Sequence, residues 1–181
     1  MAFFDNLGNQ NSGGNNSYTV VLRDIPTTLE QLKAMPEGAL SQPQHTAALT
    51  IAALCLYPSD KAAAIEMLTY LRGPKGLSVY DQQFLADRFR DKDYVPRSYF
   101  TGAVPQNNYI PATPYSLTFF ENPYSRDQLA DGYLTLHIRS GGADSPRQIK
   151  LRRKSSTGQW FLFEQFLLSD IRPCADSDPW K

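Results

Sequence analysis

Four side chains that are cationic or can become so, His137, Arg139, Lys150 and Arg152, fall where a β-hairpin would bring them onto one surface. Side chains along a strand point alternately to its two faces. In residues 133–139, Leu134, Leu136 and Ile138 share one face, and Tyr133, Thr135, His137 and Arg139 share the other. In residues 148–153, Ile149 and Leu151 match the first face, while Gln148, Lys150 and Arg152 match the second. Paired antiparallel, the two segments bury an aliphatic face and present an imidazole, two guanidinium groups and an ammonium opposite it. Such a face suits an anionic ligand or a partner of complementary charge. Tyr99 and Tyr109, from a long upstream loop, are candidates to edge it. The expected ligand-binding set is therefore His137, Arg139, Lys150, Arg152, Tyr99 and Tyr109.

Catalytic chemistry has less support. Neither His45 nor His137 has further ligands at metal spacing, and Cys55 and Cys174 form no metal or redox motif. No catalytic residue, metal ligand or cofactor is assigned. Glu121 and Glu164, from adjacent parts of the expected sheet, with His137 as a base, are the only acid–base set on offer, and geometry alone would establish it. The loop Ser140–Pro146 carries consecutive glycines, whose N–H groups can converge on an anion, flanked by Arg139, Arg147 and Lys150. The plainer expectation is a hairpin connection. Likewise Arg152, Arg153 and Lys154 form a run that reads as a solvated sheet edge in preference to a phosphate site.

The elements that must hold these residues are helices first and strands afterwards. Thr27 and Glu30 have the form of a capping box before a helix that Pro36 stops. A second helix starts near Pro43, and its stretch Ala47–Leu56 is apolar around the whole circumference, so it is central. Pro58 and Ser59 separate it from a third, with Ile65, Met67, Leu68 and Leu71 as its buried stripe and Gly73-Pro74 as its stop. Ser78 and Asp81 repeat the box ahead of a fourth.

Tyr18–Leu22 reads as an edge strand, and Tyr115–Glu121 as the first strand of a meander that continues through 133–139, 148–153 and 160–168. The last of these is apolar on both faces, so something must cover part of its second face. The cationic row then borders a concavity. The proline- and tyrosine-rich stretch 93–114 is expected to wrap the sheet in preference to forming a lid, and Trp180 to fold back as an apolar anchor.

The expected fold class is α+β: about four helices followed by a curved antiparallel meander of about four strands. A flexible tail, 1–17, with Phe3, Phe4 and Leu7 as a short apolar plug, precedes one domain, 18–181. Within it lie helices at about 27–91, the wrapping loop at about 93–114, the sheet at about 115–172 and a tail at 173–181. The glycine- and asparagine-rich linker has an r.m.s. span of roughly 17 Å, enough for the plug to reach this domain, a second copy or another protein.

Hydrophobic content of 41% and charged content of 20% are ordinary for a soluble globular chain of 181 residues. The net charge of zero hides a division, −3 over residues 1–132, +4 over 133–172 and −1 over 173–181. That excess is small for a nucleic-acid binder, so nucleic acid is disfavoured. No apolar run approaches the ~20 residues of a membrane span and no leader is evident, so no membrane partner is expected and the compartment is the cytoplasm.

The runs Leu32–Leu40, Ala52–Pro58, Asp93–Phe100, Ile138–Arg152 and Gln159–Arg172 resemble a bacterial domain family of unknown function, found as uncharacterised proteins of Gram-positive anaerobes. The resemblance covers about residues 20–181, implies a stand-alone bacterial domain and supplies no catalytic residues. A looser likeness, helices followed by a curved sheet, is to the NTF2-like cone fold, which assigns no function.

The leading expectation is a non-enzymatic module that binds a small anionic ligand or a protein through the cationic face. One alternative is an NTF2-like hydrolase or isomerase using His137 or Glu164 as acid or base. The other is a scaffold or homo-oligomer assembled through residues 1–7.

Overall fold

A computed structural model describes residues 16–180. The expected plug and nearly all of the linker therefore lie outside the described residues. At the centre is α2, Pro43–Leu56, in which every residue from Thr46 to Leu54 is buried. Its two buried hydroxyls are satisfied by backbone: Thr50 donates to the Thr46 carbonyl at 2.8 Å, and Thr46 to the Trp160 carbonyl at 2.6 Å. A helix with no polar face must be enclosed. Around it pack α3 (Lys61–Arg72), a 3-10 turn at Val95–Tyr99 and one face of the sheet. The helices α1 (Leu29–Ala34) and α4 (Val79–Phe89) complete the helical group.

The sheet has five antiparallel strands in chain order: β1 (Ser17–Leu22), β2 (Tyr115–Phe120), β3 (Tyr133–Ile138), β4 (Arg147–Arg153) and β5 (Trp160–Gln165). The architecture is α+β with the helices first, and β1 stands at an edge, joining the four-strand meander as a fifth strand. Its inner face, including Leu117, Phe119, Leu134, Leu136, Ile149, Leu151 and Leu162, is buried in the core. β5 stops at Gln165, short of the expected Leu168, because the Gln165 side chain accepts the Leu167 N–H at 2.8 Å and turns the chain.

Two local expectations shift in detail. The first helix is capped by Thr28, whose hydroxyl accepts the Gln31 N–H at 3.1 Å. The Gln31 side chain accepts from the Thr27 N–H and hydroxyl and not from the N-cap N–H, so the cap lies one residue later than Thr27 and the reciprocal box is not formed. The box at Ser78 and Asp81 is present in full. Trp180 is 92% exposed and no anchor. Its N–H is held locally by Asp178, and the end of the chain is fastened further upstream.

The fastening is the loop 93–114, which is packed wrapping and not a lid. Val95, Tyr99, Phe100, Ala103 and Tyr109 are all buried. Tyr99 donates to the Leu167 carbonyl at 2.5 Å, Tyr109 to the Arg172 carbonyl at 2.5 Å and Tyr94 to the Ile171 carbonyl at 3.2 Å. The glycines of the β3–β4 connection pack against this loop. A Cβ on Gly141 would stand 1.9 Å from the Ala103 carbonyl oxygen, and one on Gly142 would stand 2.0 Å from the Tyr109 hydroxyl. Substituting Gly142 by alanine therefore forces apart a closed contact. Overpacking of this kind costs about 1–3 kcal/mol, which in a chain of this size lowers the midpoint of thermal unfolding by roughly 2–12 °C, measurable by circular dichroism.

Candidate anion-binding site

The outer face of the sheet carries the cationic row. In the β3–β4 register Tyr133 pairs with Arg152, Thr135 with Lys150 and His137 with Gln148, which puts these side chains on the face opposite the buried leucines. Arg139 follows β3 on the same side, its guanidinium 5.5 Å from the Phe120 ring centroid. Parity alone, however, does not make one site. Arg139 and Arg152 stand at opposite ends of β3, six residues apart in register, or about 20 Å at the rise of a strand. A small ligand cannot touch both, and the face divides into two clusters.

The first cluster holds His137 and Arg139, both against the Phe120 ring. His137 is 5% exposed and stacked on that ring at 5.6 Å. Burial pushes its pKa below the ordinary 6.5, and its Nε2 has no hydrogen-bond partner among the described residues. It is thus a neutral packed ring at pH 7, not one of a row of cations.

The second cluster is built on aromatic rings. Lys150 Nζ lies 4.8 Å from the Tyr133 centroid and 5.5 Å from that of Phe163, and Arg152 lies 5.3 Å from Tyr133. Tyr133 and Phe163 meet edge to face at 4.9 Å. Phe163 shares this face with Phe161, two residues earlier and opposite Arg152, and the β4–β5 register slips next to it at Lys150/Leu151, a β-bulge that sets Glu164 opposite Lys150. Lys150 is tethered further by Gln128, whose Oε1 accepts its proton at 2.5 Å. Each ring contact contributes about 0.5–1 kcal/mol at such exposed positions and fixes where the charge sits.

Beside this cluster the cover expected over the second face of β5 is present. The 3-10 turn Gly73–Lys75, which ends α3, lies against Phe161: a Cβ on Gly73, already at a φ of 68°, would stand 2.6 Å from that ring. Between turn and strand is a cleft of about 330 Å³ lined by Arg72, Lys75, Arg152, Arg153 and Lys154 over Phe161 and Phe163, with no carboxylate in its lining. Arg72 is already committed. It donates to the carbonyls of Phe163 and Gly76 and pairs with Asp81 at 3.4 Å. Among the described residues no carboxylate lies within ion-pair distance of Lys75, Arg152, Arg153 or Lys154.

Sequence reasoning weighed the run Arg152, Arg153 and Lys154 as a phosphate site but set it aside for a solvated edge, and it did not bring Lys75, Phe161 and Phe163 to it. A Gly-Pro stop signal does not say what the turn after it touches.

The other candidates are placed elsewhere. Tyr99 and Tyr109, buried with their hydroxyls on backbone carbonyls, do not edge the cationic face. Burial pushes the Tyr109 phenol up to about 12. The Ser140–Pro146 loop offers no anion cradle, because the Gly141 N–H donates to the Ser98 carbonyl and the Gly142 N–H to the Ser140 hydroxyl. Arg147 is spent on the carbonyls of Ser145, Ser169 and Asp170.

Glu121 and Glu164 are not neighbours, since β2 and β5 are separated by two strands. Glu121 is 3% exposed and accepts hydrogen bonds from both Arg126 Nε (2.7 Å) and Nη2 (3.1 Å), from Tyr18 (2.6 Å) and from Asn16 (3.1 Å). Burial would raise its pKa, but these hydrogen bonds and the Arg126 charge outweigh burial and hold it below 4.5. This knot fastens the start of the 122–132 connection, which carries Gln128 to Lys150. Glu164 stands opposite Lys150 in register and lines a separate groove. Among the described residues, no group of three or more potential ligands could hold a metal ion.

Both depressed pKa values carry the same sign. A group whose folded pKa lies below its unfolded one stabilises the fold above the unfolded value and loses that contribution as the pH falls through the folded value. Stability is expected to fall in two stages, the first below pH 6.5 as His137 protonates and the second below 4.5 as Glu121 does. In urea titrations across this range, His137→Phe should remove the first stage and Glu121→Gln the second.

The domain family of unknown function DUF6935 matches residues 24–175. No curated protein matches, and no solved structure matches. With its family model spanning nearly all of the described fold, the chain belongs to the DUF6935 family.

Proposed function

We propose that this protein is a non-enzymatic binding module whose site takes an anionic group in the cleft between the Gly73–Lys75 turn and the β4–β5 hairpin. The observation that carries this reading is the lining. Lys75, Arg152, Arg153 and Lys154 converge on one concavity without a compensating carboxylate, and like charges held together favour an anion between them. Lys150, next to Arg152 on the face, adds to the same field. The proposed site is thus narrower than a full cationic face, and Arg139 lies outside it. Catalysis draws no support from His137, a packed ring that lines neither the cleft nor the groove, or from Glu164, which lines the groove and not the cleft.

The module is proposed to be one domain over 18–181, in keeping with a buried cluster drawn from β1 through to Ile171. A bacterial source and a cytoplasmic location are proposed with it. Both cysteines are free, and among the described residues no helix is long and apolar enough to cross a membrane.

Calorimetric titration with inorganic pyrophosphate tests the site. The double variant Arg152→Glu/Lys154→Glu should weaken binding by at least about 30-fold, the loss of two contacts of about 1 kcal/mol each, with the unfolding midpoint moved by no more than about 3 °C. Arg139→Glu, about 20 Å away by strand rise, should change affinity by less than about twofold. Because the cations are exposed, affinity should also fall as salt shortens the screening length. Unchanged pyrophosphate binding in the double variant would remove the site from consideration.

A further inference from the structure

Next to the cleft is a groove of about 370 Å³, and the two meet at Leu162, which lines both. The 3.4 Å pair Arg72–Asp81 marks the junction, Arg72 on the cleft side and Asp81 on the groove side. On the groove side the wall is mostly apolar, with Leu54 from α2, Leu68 from α3, Leu77, and Phe84 and Leu85 from α4. Two further lining residues, Tyr80 and Phe166, are 75% and 51% exposed. Large apolar side chains left in water around a concavity mark a place where something binds.

We infer that cleft and groove form one site for a single-chain amphiphile, an anionic head such as a phosphate monoester held by Lys75, Arg152 and Lys154 with its hydrocarbon chain lying in the groove. The inference rests on the anion-binding reading of the cleft and extends it to the rest of the ligand. Charge distribution argues for it, because the cleft is lined by cations and no carboxylate, whereas on the groove side Arg88 shares the lining with Asp81 and Glu164. Size argues for it as well. Each cavity alone is near the lower limit of ligand pockets, about 300–1,000 Å³, and together they fall well inside that range. At roughly 30 Å³ per water-sized group the groove has room for about a dozen chain carbons. A protein partner would need roughly 800 Å² of matching surface, a far larger footprint than two small adjoining cavities.

Titration of the full chain with ethyl phosphate and with dodecyl phosphate, the latter below its micelle concentration, tests the extension. Each methylene taken from water into the groove should multiply affinity about three- to fourfold, so dodecyl phosphate should bind at least about 100-fold more tightly even if only half its chain is sheltered. Phe166→Asp should erase most of that increment and leave ethyl phosphate binding unchanged. Tyr80→Asp, on a more exposed side chain, repeats the test with less risk to folding. Lys154→Glu should weaken both ligands.

Equal affinities for the two phosphates would overturn the inference and leave the anion cleft standing. Failure of both to bind would overturn the cleft and the inference together. Sedimentation with phosphatidylglycerol vesicles without binding of monomeric dodecyl phosphate would mean a membrane surface in place of a chain site. A dimer mass that Phe166→Asp abolishes, with no chain-length effect, would assign the groove to a second copy.

Discussion

An α-helix with apolar residues around its whole circumference has to be surrounded, and most of this architecture answers that requirement of α2. Residues Thr46 to Leu54 are all buried, so the sheet must spend its inner face on the helix, and α3 and the 95–99 turn must close the remaining sides. The outer face is then left without a helical layer. Polar and cationic side chains can collect there without disturbing the core, and Tyr133, Phe120 and Phe163 give them ordered places to sit. The division of labour between the two faces follows from packing, before any ligand is considered.

Much of this was legible from periodicity. The apolar run at Ala47–Leu56 marked the central helix, and alternation gave the face of each residue from Tyr133 to Ile138 and from Gln148 to Arg152. Those signals are local: each depends on residues within one element. The two-sided apolar character of 160–168 also signalled that β5 is covered on its second face, which the Gly73–Lys75 turn does at Phe161.

What could not be read was long-range and geometric. Parity placed Arg139 and Arg152 on one side but said nothing of the strand length between them. Tyr99 and Tyr109 were expected to edge the cationic face, yet their hydroxyls cap carbonyls of the C-terminal segment some 60 to 70 positions away. His137 occupies the outward parity but is sealed by Phe120. The glycines at 141 and 142 had the composition of an anion loop, and only the nearness of Ala103 and Tyr109 shows that they are there for close packing. The cleft itself joins a helix stop to a strand bulge 80 or more residues later, a juxtaposition no local pattern encodes.

The order of the chain adds one more consequence. Among the described residues β1 finds its only strand partner in β2, and the Tyr18 hydroxyl reaches Glu121 across 103 positions of sequence. The four α-helices of the described residues are all threaded between them. Contacts of such high sequence separation are slow to form, because the entropy of closing the intervening loop is lost before the pairing returns anything. During synthesis the first strand emerges long before its neighbour exists, and α2 has no sheet to cover it until the C-terminal half of the domain has followed. For that interval the most apolar helix in the molecule is exposed to chaperones and to other nascent chains.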